Sequence, residues 1–286
     1  MQSTLVAQHP ELLQYKFLAA DPEPTAMRTD KPPFNDVRVR QAVMMATDFA
    51  SIQKNLFYGE GALVSWPLQP YPEYKNAYLG LDDPAMPASV KALYTYDPDQ
   101  AKQLLKDAGY PNGLVTQVIC VNVADRVDYY STIKDMWSKV GVTLNIGPIE
   151  TGVWVSTQMA RNYDQMIQSP MRGPATYYQA ANYSGTSSSN QSYISDAKAA
   201  AARSQTMDLV AKGDLAGADA VHKELMKYVL EQAWVIPYPD GYSRVVWWPW
   251  LKNYHGETSV GYQDQNMWVT YAWVDQGVKA IVTGGR

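Results

Sequence analysis

An α/β fold, with an open and mainly parallel sheet flanked by helices, is predicted by three observations on this sequence. Apolar runs of strand length at 114–123, 142–149 and 164–168 are separated by helical repeats at 127–140 and 154–161. That order is βαβαβ, the arrangement that lets neighbouring strands run parallel, because each return crossover is a covering helix. Finally, 286 residues are enough to bury one large core or two modest ones.

The elements follow in order. Asp36 in "KPPFNDVRVRQAVMMATD" is a good helix N-cap, and Val39, Ala42, Val43, Ala46 and Phe49 recur at helical spacing, continuing loosely to Ile52 and Leu56. Gly59 and Gly61 end that helix. Pro67, Pro70, Pro72, Pro84 and Pro87 then forbid regular helix or central strand, so 62–96 reads as a long ordered loop. "YDPDQAKQLLKDAGYPNG" carries both ends of a compact helix: Asp97 caps it, Pro98 takes the first turn, and Gly109 with Pro111 stops it. In the strand at 114–123, the single cysteine, Cys120, reads as a buried and inert thiol. The next helix presents Val127, Tyr130, Ile133, Trp137 and Val140 on one side. Two further helices are expected at 195–211 and 214–231, the second capped by Asp214, and the aromatic tail from 236 holds Trp247, Trp248 and Trp250.

Several function classes are disfavoured. Lys and Arg total 24 against 28 Asp and Glu, and the net charge of −4 shows no long run of either sign, so no nucleic-acid partner or polybasic membrane patch is indicated. One cysteine forms no intrachain disulfide, and three scattered histidines offer no zinc spacing, so no metal or cofactor is expected. No apolar run reaches the length of a membrane helix. The first residues lack the pattern of a secretory signal, which fits a cytoplasmic protein, a processed one or a piece of a longer chain. The nucleophile-elbow, zinc-protease, phosphate-loop and dinucleotide motifs are not found, and the serines at 184–189 have no local base. An enzyme is therefore not expected, a serine hydrolase being the weaker alternative.

Ligands of open α/β sheets bind beyond the carboxyl ends of the strands. The segment just beyond the third strand, "SPMRGPATYYQAANYSGTSSSNQSY" at 169–193, is polar, aromatic and rich in Gly, Ser and Asn, and is the leading candidate binding loop.

Four stretches in order, Pro32 to Asp48, Tyr58 to Gly61, Tyr96 to Gly113 and Asn162 to Asp164, carry a family resemblance. Together with the "VGV" at 140–142, they resemble the extracellular solute-binding proteins of family 5, the peptide- and nickel-type binding components of ABC importers. The resemblance covers about 30–170. It implies a periplasmic-binding-protein-like (type II) lobe, with residues 1–235 as the second lobe of a two-lobed protein and 236–286 as a Trp-rich return toward the first. It also implies a C-terminal portion, a missing N-terminal lobe with its signal peptide, a membrane permease as partner, and a periplasmic or cell-surface location.

In that family, side chains of the loop beyond the third strand contribute to ligand binding, which here means Met171, Arg172, Tyr177, Tyr178 and Asn182. Arg172 could hold a ligand carboxylate with two parallel hydrogen bonds, or be a solvated loop arginine. Tyr177 and Tyr178 read either as contacts or as packing, and Trp154 either as an aromatic wall or as core. Arg38 and Arg40 oppose the dipole of their helix, and structural ion pairs or carbonyl contacts suit them better than an anion site. A peptide-type solute is the first expectation. Because "GPATYYQAANYSG" stands where peptide binders of the family often carry an Asp-Pro stretch, an oligosaccharide or opine is the alternative.

Overall fold

The computed structural model describes residues 2–18, 23–169, 187–257 and 267–284. The chain forms two compact units, Met1–Ala19 with Tyr242–Arg286, and Ala20–Gly241. In chain order, α1 (Gln2–Gln8) and β1 (Leu13–Leu18) come first. The larger unit then runs β2 (Thr25–Met27), α2 (Val37–Met45), α3 (Phe49–Leu56), α4 (Ala88–Leu93), α5 (Pro98–Asp107), β3 (Leu114–Val121) and α6 (Ala124–Ser138). It continues through β4 (Val142–Ile149), α7 (Thr151–Met159), β5 (Met166–Gln168), α8 (Ala197–Ala211), α9 (Leu215–Glu231) and β6 (Val235–Ile236). Last come β7 (Tyr242–Trp247), β8 (Leu251–Lys252), β9 (Trp273–Val274) and α10 (Gln276–Thr283).

In the smaller unit β1 pairs antiparallel with β7, from Leu13 opposite Trp247 to Leu18 opposite Tyr242. Residues 2–18 therefore group with the last strands, which no periodicity in the sequence announces. Within this unit Trp248 stacks on Trp250 at 4.6 Å, and His9 meets Trp248 edge-on at 5.3 Å. Gly256 sits at φ +94, where a Cβ would lie 2.5 Å from that of Tyr15, so glycine is required there.

The larger unit is built on a five-stranded sheet in the order β4-β3-β5-β2-β6. β3 runs parallel to β4 and to β5, whereas β2 is antiparallel to both β5 and β6. Four strands therefore share one direction and β2 alone opposes them, giving the expected mainly parallel sheet with one reversed strand inserted. The three-residue β2 is too short to carry an alternating pattern, which is why the sequence did not reveal it.

Helices cover both faces. Val118 and Cys120 of β3 join the main core with Tyr130, Ile133 and Trp137 of α6, while Ile119 and Val121 point the other way, toward Trp154 of α7. Cys120 is wholly buried, and burial pushes its thiol up to about 11. Two expectations need correction. The single helix from 37 is two helices, because the Asp48 carboxylate accepts from Ser51 N at 2.9 Å and starts α3 afresh. The loop at 62–96 contains α4, made possible because Pro87 stands before the helix rather than inside it.

Arg38 and Arg40 take structural roles. Arg38 pairs with its capping neighbour Asp36 at 2.6 Å and donates to Asp107 O at 2.7 Å. Arg40 is buried, donates to Phe34 O at 2.7 Å and Gln232 O at 2.9 Å, and has its guanidinium brought down to about 10 by that burial.

Candidate functional site

Because β3, β4, β5 and β6 end on one edge of the sheet and β2 begins there, that edge gathers side chains from distant parts of the sequence. Glu23 arrives just before β2, Arg126 in the first turn of α6, Gln168 at the end of β5 and Tyr238 two residues after β6. Their polar groups converge. Arg126 Nε donates to Glu23 Oε2 at 2.7 Å, and Gln168 Nε2 donates to the same oxygen at 2.5 Å. Gln168 Oε1 accepts from Val121 N at 3.0 Å, bridging β5 to β3 beyond the last paired residues. The Arg126 guanidinium lies 4.2 Å from the centre of the Tyr238 ring and also donates to its hydroxyl.

The central pair is largely buried. The side chains of Arg126 and Glu23 are only 13% and 9% exposed. Burial opposes the Arg126 charge, yet Tyr238, Glu23 and Asp125 together hold its guanidinium above the usual arginine range. Such a pair requires both partners, since removing one strands a charge in a low-dielectric site.

Trp154 supports the edge from below. It is buried among Ala26, Val121, Tyr163 and Ile167, and its indole donates to Gln168 O at 3.2 Å, beside Gln158 Nε2 at 2.8 Å. The other candidate ligand contacts, Met171, Arg172, Tyr177, Tyr178 and Asn182, lie outside the described residues. Both flanks of their segment are described and tied down. Ser169 is buried, donates its backbone N–H to Pro24 O at 2.9 Å and its hydroxyl to Gln191 Oε1, while Tyr163 donates its hydroxyl to Gln191 O. Farther along, the Asn190 side chain donates from Nδ2 to Ile194 O at 2.7 Å and accepts from Ile194 N on Oδ1 at 2.8 Å.

The carboxyl-end rule, applied to the third strand alone, does not reach Glu23, Arg126, Gln168 or Tyr238. The signal was available for Arg126, a cation at the junction where the first strand of the βαβ unit turns into its helix. Glu23 had none, because its strand was not visible. Away from this edge, an open groove of about 630 Å³ between α8 and α9 is lined by Ala201, Ala202, Val221 and Leu225 together with Lys198 and Glu224. Among the described residues no cluster of His, Cys, Asp or Glu is arranged to hold a metal ion.

A family model for bacterial extracellular solute-binding proteins, family 5 Middle, matches residues 2–195, more than half of the chain. The chain belongs to this family. The motifs between 30 and 170 thus pointed to the right group. Heme-binding protein A of Haemophilus influenzae is 34% identical over 125 residues, which are 42% of this chain and 21% of that protein. Di/tripeptide-binding protein 2 of Pseudomonas aeruginosa is 30% identical over 166 residues, 57% of this chain and 29% of that one. Among solved structures, an ABC transporter-associated periplasmic binding protein from Helicobacter pylori, in complex with the peptide STSA, superimposes with a TM-score of 0.71 at 20% identity. That match covers 96% of this chain and 51% of the other, so the chain spans about half the length of that protein. At such identity the likeness establishes the fold, which is the type II periplasmic-binding-protein fold expected from the sequence.

Proposed function

We propose that this chain serves as part of the solute-binding component of an ABC importer, capturing an oligopeptide or similar small polar solute outside the membrane and presenting it to a permease. The larger unit is the second lobe in this reading, and the smaller unit is the chain's contribution to the first. The protein works in the periplasm or at the cell surface and catalyses no reaction.

The observation that carries the reading is the carboxyl edge of a family-5 fold, where buried Ser169, just before 170–186, is hydrogen-bonded to Pro24 O and to the side chain of buried Gln191. A rigid base under a polar, aromatic segment is what a binding loop needs. Binding drives closure of such a protein only through greater affinity for the closed state, so no bond need be made or broken.

The test is a thermal-shift and calorimetric screen of the chain with di- to tetrapeptides, oligosaccharides and opines. Peptides are expected to bind, weakly in this chain by itself, and Arg172→Ala is expected to weaken an anionic ligand by about tenfold, near 1.4 kcal/mol. An unchanged affinity removes Arg172 from the site. Binding of oligosaccharides with no response to peptides replaces the substrate class with the one that the tyrosines and asparagines of "GPATYYQAANYSG" would suit. Sustained turnover of ester or peptide substrates overturns the reading altogether.

A further inference from the structure

The larger unit is entered at Ala20 and left at Gly241. Glu23 stands three residues inside the first crossing, and Tyr238 three residues inside the second. Between them lies one guanidinium. Arg126 binds the carboxylate of the first at 2.7 Å and the ring face and hydroxyl of the second, with the ring centre 4.2 Å away. The same Glu23 oxygen takes the Gln168 amide at 2.5 Å, and Gln168 is the last residue of β5, immediately before the root of the candidate binding segment.

We infer that Glu23 and Arg126 are positioning residues that couple the root of the 170–186 segment to both crossings of the chain. Three features support this. First, the groups share atoms: one oxygen serves Arg126 and Gln168, and one guanidinium serves Glu23 and Tyr238, so the contacts are linked. Second, the cluster is buried, and in a low-dielectric site a partly satisfied network costs more than the sum of its bonds, so its contacts persist or fail together. Third, the backbone repeats the linkage. Ser169 N donates to Pro24 O at 2.9 Å, joining the root to the first crossing, and Asp240 N donates to Ala62 O at 2.9 Å, fastening the second.

A ligand that displaces the root therefore acts, through this cluster, on the residues beside the two crossings. That use rests on the solute-binding reading. The coupling does not, and it is tested on the chain without ligand.

The test is amide hydrogen exchange by NMR on the 286-residue chain and its Glu23→Gln, Arg126→Met and Arg126→Lys variants. Three amides report: Ser169 for the root, Val121 for the Gln168 bridge and Asp240 for the second crossing. Glu23→Gln, nearly isosteric, is expected to speed exchange at Asp240, whose N–H donates to Ala62 O, about tenfold. Arg126→Met should speed all three reporters, and Arg126→Lys should restore most of the protection at Ser169. The Ala101 amide, held by Asp97 O in α5, should stay within about twofold throughout. If Asp240 is unmoved in Glu23→Gln, the coupling is wrong. Equal acceleration at Ala101 also overturns it, because the effect is then general destabilisation. Should Arg126→Met fail to fold, the Glu23→Gln and Arg126→Lys data decide alone.

Discussion

The two edges of the central sheet both rely on arginine, and they use it differently. At the carboxyl edge Arg126 and Glu23 form a buried pair shared with Gln168 and Tyr238. At the amino edge, where β2 ends and β5 begins, Arg28 makes a bidentate contact with Asp30 at 2.7 Å, and Asp30 is 38% exposed. The ring of Tyr193 lies there between two guanidinium groups, Arg28 at 3.5 Å and Arg161 at 3.8 Å. Arg126 and Arg28 are both 13% exposed and each lies over a tyrosine ring, so the difference is in the carboxylates, Glu23 at 9% exposure against Asp30 at 38%. Burial of the carboxylate, not of the arginine, is what should make the carboxyl-edge pair the costlier one to break.

The largest expected difference between the edges is in stability. Arg126→Ala should cost about 3–5 kcal/mol, because it leaves the Glu23 carboxylate buried without its cation. Urea denaturation measures this, and a loss below about 1 kcal/mol would put the two edges on the same footing. Tyr193→Ala should cost about 2 kcal/mol, from two cation–π contacts and the lost packing of the ring. A value matching that of Arg126→Ala would erase the contrast.

The smallest effect is a pH dependence. The Arg28 hydrogen bond holds the Asp30 carboxyl below its ordinary value of 3.8. A depressed carboxyl stabilises the folded state above the unfolded pKa, and that contribution is lost as pH falls through the folded value. Wild type should therefore lose slightly more stability than Asp30→Asn as pH drops below about 4, by less than about 1 kcal/mol given the exposure of the pair. Acid titrations of the two proteins that superimpose would remove the Arg28–Asp30 pair from the account of the amino edge.

Much of this fold was legible in the sequence because its signals are local. Asp97 accepts from Gln100 N at 2.9 Å as a helix cap should, Asp214 caps α9, and Cys120 alternates into the core as the strand period requires. What was not legible depends on partners far away in sequence. β2 has three residues and exists because β5 and β6 flank it, and β1 is defined by β7 some 230 residues later. Glu23 and Gln168 meet across 145 positions, a distance no window of periodicity spans. The candidate site was half legible for the same reason. The polar segment after the third strand announces itself by composition, whereas the network that anchors its root is assembled by topology.

Titration of the isotope-labelled chain with an unlabelled tripeptide, followed by NMR, tests the central claim that solute binds beyond the carboxyl edge. The account predicts chemical-shift changes concentrated at 169–193 and at the neighbouring amides of Val121 and Tyr238. Changes centred on Ala201, Ala220 and Leu225 in the groove between α8 and α9, with the carboxyl edge silent, would contradict it.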